Sequence, residues 1–315
     1  MKILLTGGAG FIGAHVAKAY LQAGHEVVVV DDLSRGHAGN LPEGVSLHRV
    51  DITDAGALDA VFQAERPQIV NHHAALVSVR ESARSPERYF RVNLEGTQNM
   101  LQAALAAGAK KFIYASSGGA IYGEAQSLPI AEDHPLNPLS PYGESKALAE
   151  KLIHEQDGRF ESVILRYGNV YGPGQDTRFG NGAVAIFAEH MLSGQTVTLF
   201  GSGEQVRDYL FIADAVKANL AAIEPGVTGT YNLGTGCGLT LLQVLDQLAA
   251  ALGLKPELKF QEPHPFEVWQ NVLDASRARD HLGWRAEVDF ETGLGEQLSG
   301  KIADRKNRDQ VTGYR

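Results

Sequence analysis

Short apolar runs alternate with helical patterns through the first half of the chain. The apolar runs begin at Lys2 and continue with Glu26–Val30, Val45–Val50, Gln68–His72, Lys111–Ala115 and Ser162–Arg166. Helical periodicity fills the intervals at Phe11–Ala23, Ala55–Glu65, Pro86–Ala107 and Ser140–Gln156. Strands and helices that alternate at these lengths predict an α/β protein with a doubly wound parallel sheet.

The pattern changes after residue 172, where glycine and proline cluster up to residue 182. A helix is predicted at Ala183–Leu192 and a strand at Thr196–Phe200, whereas Gly201–Ala213 is interpreted as a loop. Helices at 214–224 and 240–252 flank a strand at Tyr231–Leu233. We expect a large domain at 1–171 and a smaller C-terminal α/β lobe at 172–315, with some segments returning to the large domain. The polar end, 300–315, is expected to be frayed.

The first strand leads directly into a turn with glycines at three regularly spaced positions. Gly7 suits the tight turn, Gly10 a close approach of backbone to pyrophosphate, and Gly13 the packing of helix on strand. The helix that starts at Phe11 and Ile12 offers N–H groups and a partial positive charge to phosphates. A strand, glycine turn and helix in this order predict a Rossmann-type dinucleotide site.

The second strand ends in a carboxylate that bears on the choice of dinucleotide. Asp31 follows the last glycine at close to the spacing of about 20 residues expected for the ribose-binding acid. Such a carboxylate accepts hydrogen bonds from the ribose hydroxyls and repels a 2′-phosphate. Asp32 adds a second negative charge, and Arg35 is interpreted as a solvated loop charge. The sequence therefore predicts NAD rather than NADP.

Composition narrows the possible partners and surroundings. The 315 residues are 44% hydrophobic and 21% charged, with a net charge of −9. This charge argues against nucleic acid and anionic membranes as partners, so a phosphorylated substrate must meet a local basic site. A single cysteine, Cys237, allows no internal disulfide, and no apolar run approaches the roughly 20 residues of a membrane helix. We expect a soluble, cytoplasmic protein without a leader.

A tyrosine and a lysine occupy one face of a well-marked helix. Ser140 is a suitable N-cap and Pro141 a suitable first helical residue, so Tyr142 and Lys146 lie one turn apart. A lysine near a phenol, in a site that holds a positive nicotinamide, lowers the phenol's pKa from about 10. The phenolate then removes a hydroxyl proton at neutral pH. Without the dinucleotide motif, the same spacing would indicate an exposed helix face.

The motifs together resemble a known family. They are TGGAGFIG (6–13), Asp31, Asp51 with Ile52, HHAA (72–75), Asn93, ASSGGAIYG (115–123), Tyr142 with Lys146, RYGNVYGP (166–173) and RDY (207–209). From residue 1 to about residue 290 the chain resembles the extended short-chain dehydrogenase/reductases, specifically the UDP-glucose 4-epimerase branch. The resemblance implies bound NAD, a UDP-hexose substrate and inversion at C4 through transient oxidation.

The resemblance also implies residue roles. Cofactor contacts fall on Asp51, Ile52, Ala74, Ala75 and Asn93, in addition to the glycine turn, Asp31, Tyr142 and Lys146. Substrate contacts fall on Ser117, Tyr142, Asn169, Arg207, His264 and Asn271. Ser117 would assist Tyr142 at the sugar 4-hydroxyl, and Arg207 would clamp the diphosphate. Simple structural roles stay open for Ser117 as a strand end, Asn169 as a turn residue and Arg207 as a surface charge.

The sequence departs from the family pattern on the substrate side. His264 stands where the epimerases carry an arginine for the diphosphate, and would be a weaker, pH-dependent substitute. Asn271 aligns with a large tyrosine that closes the sugar pocket in some members. Its smaller side chain suggests that N-acetylated sugars such as UDP-GlcNAc are accepted. Val77 replaces a lysine found in some relatives.

Proteins of the same fold include dehydratases, reductases and non-catalytic sensors. A sugar-nucleotide 4,6-dehydratase needs an acidic pair where this chain has Gly118 and Gly119. Asp31 and Asp32 disfavour an NADP-dependent reductase. A non-catalytic NAD-sensing protein is a further alternative, although such proteins typically lose the tyrosine and lysine pair.

Two further expectations concern histidines and assembly. His72 and His73 are interpreted as packed, hydrogen-bonded residues, and no metal site is predicted. The family commonly dimerises through two helices of each subunit, which correspond here to the helices around 90–107 and 142–156. Small residues suit close helix approach there, namely Ala103, Ala104, Ala106 and Ala107. We therefore expect a homodimer.

Overall fold

A computed structural model describes residues 1–180 and 182–299 of the chain. Its strands, in chain order, are β1 (Lys2–Thr6), β2 (Glu26–Val30), β3 (Ser46–His48), β4 (Ile69–His72), β5 (Lys111–Ser117), β6 (Glu161–Tyr167), β7 (Asn169–Tyr171), β8 (Val197–Phe200), β9 (Val206–Phe211), β10 (Gly229–Leu233), β11 (Gly238–Thr240), β12 (Leu258–Gln261) and β13 (Gln270–Asn271). Its helices are α1 (Phe11–Gln22), α2 (Ala55–Glu65), α3 (Val79–Arg84), α4 (Pro86–Phe90), α5 (Gly96–Ala107), α6 (Pro141–His154), α7 (Ala183–Ser193), α8 (Ile212–Ala222), α9 (Leu241–Leu252) and α10 (Ser276–Leu282). Residues 290–299 are also helical.

The predicted doubly wound parallel sheet is confirmed. Its strand order is β10-β6-β5-β4-β1-β2-β3, and every neighbouring pair is parallel. The chain winds outward in one direction from β1 to β3 and in the other from β4 to β6. At the reversal, Thr6 of β1 pairs with Val30 on one side and with His72 on the other. Ligands bind at such a switch point, beyond the carboxyl ends of the strands.

Helices cover both faces of the sheet, and the strands are apolar on both sides. On one face α1 packs against α8, where the hydroxyl of Tyr20 donates to the Asn219 carbonyl at 3.2 Å. On the other face Leu4, Val70 and Phe112 pack with side chains of α2, α5 and α6. Burying each large apolar side chain contributes about 1.5–3 kcal/mol, so the two layers fix the sheet edge that carries the site.

A second, smaller group of strands is built around β9. This strand pairs with β11, β13 and β7, and β8 pairs separately with β12. The interpretation of Gly201–Ala213 as a loop is therefore wrong, because β9 and the start of α8 lie within it. The charges of Arg207 and Asp208 obscured the strand pattern. Asp208 is nevertheless buried, since it accepts backbone hydrogen bonds from Thr235, Gly236 and Leu273 at 2.8–3.2 Å.

Several other elements differ from the sequence expectations. The predicted helix at Pro86–Ala107 is helical throughout, but a π-helical segment, Arg91–Glu95, separates α4 from α5. The short elements α3, β7, β11, β12, β13 and α10 had no clear sequence pattern. Among the described residues, no helix combines the length and apolar character needed to cross a membrane. The expectation for 300–315 lies outside the described residues, and the division at 171/172 stays a prediction.

Candidate active site

A cavity of about 1100 Å³ opens at the carboxyl ends of the parallel strands. Most of the predicted site residues line it, namely Gly7, Gly10, Phe11, Ile12, Gly13, Asp31, Asp51, Ile52, Ala74, Ala75, Ser117, Tyr142, Lys146, Asn169, Arg207 and His264. Asn93 and Asn271 do not line it. The cavity has a cofactor end around the glycine turn and a substrate end around Arg207, with Tyr142 between the two sets of residues.

The glycine turn is too tight for side chains at two of its positions. Gly7 adopts a φ of 67°, and a Cβ there would lie 2.7 Å from the backbone nitrogen of Ala74. A Cβ on Gly13 would lie only 2.2 Å from the Gly7 carbonyl oxygen. Gly7 thus lets the turn lie against the segment after β4, and Gly13 lets the first turn of α1, with its unpaired N–H groups, lie against the turn that follows β1. The cradle fits the diphosphate of a dinucleotide.

Asp31 supports the turn as well as facing the cavity. Its carboxylate accepts hydrogen bonds from the backbone N–H of Ala9 at 3.0 Å and of Leu33 at 2.8 Å. Burial raises the pKa of this carboxyl, and the two N–H donors act in the opposite direction. The Asp31 carboxylate, which is predicted to bind the ribose, therefore also connects the end of β2 to the glycine turn.

Arg35 is not the solvated loop charge expected from the sequence. Its guanidinium pairs with Glu81 of α3 and lies 4.5 Å from the ring centroid of Phe179. All three residues line the cavity or pack beside it. Glu81 also pairs with Arg88 at 2.9 Å, so one carboxylate is shared by two arginines, and the prediction of NAD depends on Asp31 rather than on Arg35.

The helix that carries the tyrosine begins as predicted. The Ser140 hydroxyl accepts a hydrogen bond from the Gly143 N–H at 3.1 Å, and Pro141 is the first residue of α6. Tyr142 is 8% exposed and Lys146 is 3% exposed, and both face the cavity. The Lys146 ammonium donates to the Ala115 carbonyl at 2.6 Å. The pair is therefore part of the site rather than of an exposed helix face.

Burial is the largest influence on the pKa values of this pair in the protein itself, whereas the predicted lowering of the phenol's pKa concerns a site that also holds nicotinamide and stays a prediction. Burial raises the pKa of Tyr142, although a hydrogen bond with Ser117 opposes the shift. Burial also lowers the pKa of Lys146 to about 7, against the charge of Glu150. A lysine that is only partly charged at neutral pH lowers the pKa of the phenol only weakly. Burial therefore determines the direction of the shift in the Tyr142 pKa.

Asn93 acts one layer behind the cavity wall. Its Oδ1 accepts from the Leu76 N–H at 2.8 Å, and its Nδ2 donates to the Leu76 carbonyl at 2.9 Å and the Ser145 hydroxyl at 3.0 Å. Leu76 lines the cavity, and Ser145 belongs to α6. The amide, which lies in the π-helical segment, thus joins the segment after β4 to the helix of Tyr142.

The two histidines have the packed, hydrogen-bonded surroundings expected from the sequence. The Thr97 hydroxyl donates to the Asn93 carbonyl at 2.6 Å, so it accepts from His72 Nε2 at 3.0 Å. Nδ1 of His72 then accepts from the Thr6 hydroxyl at 2.6 Å. Burial lowers the pKa of His72 well below its ordinary value and that of His73 to about 4. Both rings are neutral at physiological pH.

Gly119 lies among three polar side chains, with room for a group of about the size of a Cβ. A Cβ built on this residue would be 3.6 Å from Asn169 Oδ1, 3.9 Å from the Ser117 hydroxyl and 4.0 Å from Asn271 Oδ1. Asn271 is buried, and its Nδ2 donates to the Gly118 carbonyl at 2.9 Å. Three polar side chains therefore surround a space that this glycine leaves free, although Asn271 reaches it from behind the cavity lining.

The substrate end contains Glu267, Arg80 and the ring of Phe200, to which no sequence pattern assigned a role, in addition to the predicted Arg207. Arg207 pairs with Glu267 and also donates to the Val206 carbonyl at 2.8 Å. The guanidinium of Arg80 lies 3.6 Å from the ring centroid of Phe200. Arg80 belongs to the unpredicted helix α3, which explains why no pattern identified it. The carboxylate of Glu267 competes with any anion for the predicted diphosphate clamp.

His264 is less basic here than an isolated histidine. Burial and the charges of Arg80 and Arg84 lower its pKa, and the carboxylate of Glu267 opposes them. The side chain therefore carries little charge at neutral pH. With a weakly charged histidine in place of an arginine, the cations left toward a diphosphate at this end are Arg207 and Arg80.

This site geometry agrees with the similarity of the chain to known proteins. The sequence model of the NAD dependent epimerase/dehydratase family matches residues 3–234. The chain belongs to this family. Within the epimerase/dehydratase family, a UDP-glucose 4-epimerase from Mycolicibacterium smegmatis is 36% identical over 305 residues, which cover 95% of this chain and 97% of that protein.

Two solved structures share both the fold and much of the sequence. UDP-glucose 4-epimerase from Thermotoga maritima, solved with UDP-glucose, superposes with a TM-score of 0.94 and 39% identity, over 96% of this chain and 99% of that one. UDP-glucose 4-epimerase from Thermus thermophilus, solved with NAD, gives a TM-score of 0.91 and 41% identity, over 95% and 98%. The similarity thus extends through both lobes.

Proposed function

We propose that the protein is an NAD-dependent UDP-glucose 4-epimerase that interconverts UDP-glucose and UDP-galactose. The observation that carries the proposal is a cavity in which the buried Tyr142 and Lys146, together with Ser117, line the wall along with a dinucleotide cradle and Arg207. Relatives that bear this name match the chain over nearly its full length.

Each polar group of the site has a place in the reaction. NAD, which the glycine turn and Asp31 would hold, would supply the acceptor for the hydride of the sugar C4 and the source of its return. Tyr142 takes the 4-hydroxyl proton and later gives it back. Ser117 shares the hydrogen bond to that oxygen, which its contact with the phenol permits. Lys146, one helical turn beyond Tyr142, is held by its hydrogen bond to the Ala115 carbonyl.

The substrate must stay bound while its sugar ring turns over. Arg207 anchors the diphosphate through charge-assisted hydrogen bonds, and the hexose turns over within the cavity of about 1100 Å³. Because the oxidation is reversed within the site, the overall reaction consumes no cofactor. We therefore expect NAD to remain bound through successive turnovers.

The alternative functions fit the site less well. A dehydratase would need an acid and a base at Gly118 and Gly119, but a Cβ on Gly118 would lie 2.6 Å from the Leu273 side chain. The first position is therefore closed to an acidic residue as well as occupied by glycine. The carboxylate of Asp31 disfavours an NADP-dependent reductase. A non-catalytic sensor would have no use for the buried tyrosine and lysine.

The decisive experiment supplies UDP-galactose to the purified protein without added NAD. We expect UDP-glucose to form, and heat-denatured protein to release NAD in an amount close to one per chain. No product with or without added NAD would contradict the proposal. Turnover that appears only with NADPH would instead support a reductase.

The same geometry favours a broader sugar specificity. Polar atoms of Ser117, Asn169 and Asn271 lie around Gly119, and these atoms can form hydrogen bonds with an N-acetyl group as well as with a hydroxyl. We expect similar rates on UDP-galactose and UDP-GalNAc. The Asn271→Tyr variant should retain the first activity and lose most of the second. Complete inactivity of the unaltered protein on UDP-GalNAc would exclude this extension.

We also propose that the protein forms a homodimer through α5 and α6. Ala103 and Ala104 are buried in the protein's own core, so they are unavailable to a partner. Leu148 of α6 is 37% exposed, which supports contact through this helix. Sedimentation equilibrium should give twice the chain mass, and Leu148→Glu should shift the protein toward the monomer.

A further inference from the structure

A buried ion pair lies directly behind the catalytic groups. Glu150 of α6 is 2% exposed and Arg166 of β6 is 6% exposed. Nε of Arg166 donates to Glu150 Oε1 at 3.1 Å, and Nη2 donates to Oε2 at 2.6 Å. Neither residue lines the cavity. Burying two charges costs several kcal/mol per ion, and apolar residues often serve stability equally well. The pair therefore calls for a reason beyond stability.

The ion pair joins the segments that carry the reactive side chains. The Ser116 hydroxyl donates to Glu150, and Ser116 immediately precedes Ser117 on β5. Glu150 itself lies one helical turn beyond Lys146 on α6. One carboxylate thus contacts the strand that presents the serine and belongs to the helix that presents the tyrosine and lysine.

The arginine extends the same network to the sugar side of the site. Its Nη1 donates to the Tyr122 hydroxyl at 2.7 Å and to the Glu132 carbonyl at 3.1 Å. Tyr122 donates in turn to Asn232 Oδ1 at 2.7 Å, at the β10 edge of the sheet. Tyr122 lies in the segment that follows Gly118 and Gly119. A fully hydrogen-bonded buried network of this kind holds its members in a single arrangement.

The carboxylate also bears on the charge of Lys146. The ammonium faces the Ala115 carbonyl at 2.6 Å and the Tyr114 ring centroid at 4.3 Å, and both are uncharged. The imidazoles of His72 and His73 are neutral because burial lowers the pKa of each. Glu150 provides the charge that raises the lysine's pKa against burial.

We propose that Glu150, held by Arg166, is a positioning residue that sets Ser117, Tyr142 and Lys146 relative to one another for epimerisation. It acts through Ser116 and α6 and does not touch substrate or cofactor. It also favours the charged state of the lysine at neutral pH. This inference rests on the proposed epimerase activity.

The chain offers a matched control at the opposite end of the same two strands. Lys111, the first residue of β5, is 3% exposed and pairs with Glu161, the first residue of β6, at 3.1 Å. Its ammonium also donates to the Ala222 carbonyl at 3.1 Å. This pair is buried on its lysine side and lies at the strand ends away from the cavity.

The test compares Glu150→Gln with Lys111→Met in the full chain loaded with NAD. For Glu150→Gln we expect kcat on UDP-galactose to fall at least 10-fold while KM changes less than 3-fold. The alkaline limb of the kcat profile should move to lower pH by about one unit, because an uncompensated lysine loses its proton earlier. Lys111→Met should lower the melting temperature and leave kcat and its pH profile unchanged.

A second variant covers the case in which an unpaired arginine unfolds the protein. Glu150→Gln combined with Arg166→Met removes both charges, and it should fold, retain NAD and keep the low kcat with the shifted profile. Wild-type kcat and pH profile in this variant would overturn the proposal. An unshifted profile in folded Glu150→Gln would do the same.

A readout that needs no turnover separates this proposal from the assigned activity. The side-chain ammonium of Lys146, labelled with ¹⁵N and identified by its loss in Lys146→Met, should titrate at lower pH in Glu150→Gln than in wild type. If the wild-type protein fails to convert UDP-galactose, the proposed function fails while this titration still tests Glu150. Identical titration in both proteins would contradict the role of the carboxylate.

Discussion

The two ends of the cavity differ in composition: the cofactor end is mainly backbone, whereas the substrate end is mainly side chains. The cofactor end is centred on the backbone of the glycine turn, where the Gly13 contact holds α1 close to β1, and Asp51, Ile52 and Ala74 add to it from later segments. The substrate end is formed by side chains from distant segments, including Arg80 of α3, Arg207 of β9 and His264 after β12. A site made of contiguous backbone is rigid and local, whereas a site made of distant side chains depends on the packing of the smaller lobe.

The two ends also differ in electrostatics. At the cofactor end, the N-terminus of α1 offers partial positive charge that no side chain neutralises in its first turn. At the substrate end, Arg207 is already paired with Glu267. A diphosphate must therefore share or displace a carboxylate to reach its clamp. We expect substitutions at the substrate end to change substrate affinity in both directions, and those at the cofactor end only to weaken binding.

The largest effect should come from the residue between the two ends. Tyr142→Phe removes the group that exchanges the hydroxyl proton, so kcat should fall by about 10³-fold or more. NAD content and the KM for UDP-galactose should stay close to wild type, because neither end is altered. Tyr89→Phe is the matched control, since its ring lies 6.4 Å from that of Tyr142 and outside the cavity lining. Undiminished epimerisation by Tyr142→Phe would refute the assigned chemistry.

The next effect concerns the backbone-built end. Gly13→Ala places a Cβ 2.2 Å from the Gly7 carbonyl oxygen, so the turn must move. We expect the purified protein to lose most of its bound NAD and about 2 kcal/mol of unfolding free energy. Gly295→Ala is the control, because this helical position has no atom within 4 Å of the added Cβ. It should neither release NAD nor lower the unfolding free energy. NAD retained at wild-type occupancy in Gly13→Ala would show that the cradle is more tolerant than its geometry implies.

The substrate end should respond with opposite signs at two paired residues. Arg207→Met removes a charge-assisted contact worth about 1.5–3 kcal/mol, so KM for UDP-galactose should rise about 10- to 100-fold. Glu267→Gln removes the competing carboxylate from a partly exposed pair, so KM should fall about 2- to 5-fold. NAD content should be unchanged in both. An increase of KM in Glu267→Gln would mean that the carboxylate assists binding instead of competing.

The contrast between the two ends also explains what could be predicted from the sequence. The glycine turn, Asp31 and the start of α6 follow from local spacing, because neighbouring residues form them. Strand β9 was missed because a buried carboxylate, Asp208, is satisfied by N–H groups of residues far along the chain. The pairing of Arg207 with Glu267 and the stacking of Arg80 on Phe200 likewise join residues whose proximity no local pattern encodes.

The smallest effect is a pH dependence confined to the substrate end. Since burial and two arginines lower the pKa of His264, its positive charge appears only as the pH falls below about 6.5. The diphosphate of UDP-galactose has no terminal phosphate to titrate, so KM should decrease about 2- to 3-fold between pH 7 and pH 5. His264→Gln should abolish this decrease, whereas His154→Gln, at the exposed end of α6, should keep it. A KM that falls equally in His264→Gln would assign the titration to another group, and one that rises on acidification would contradict the attraction itself.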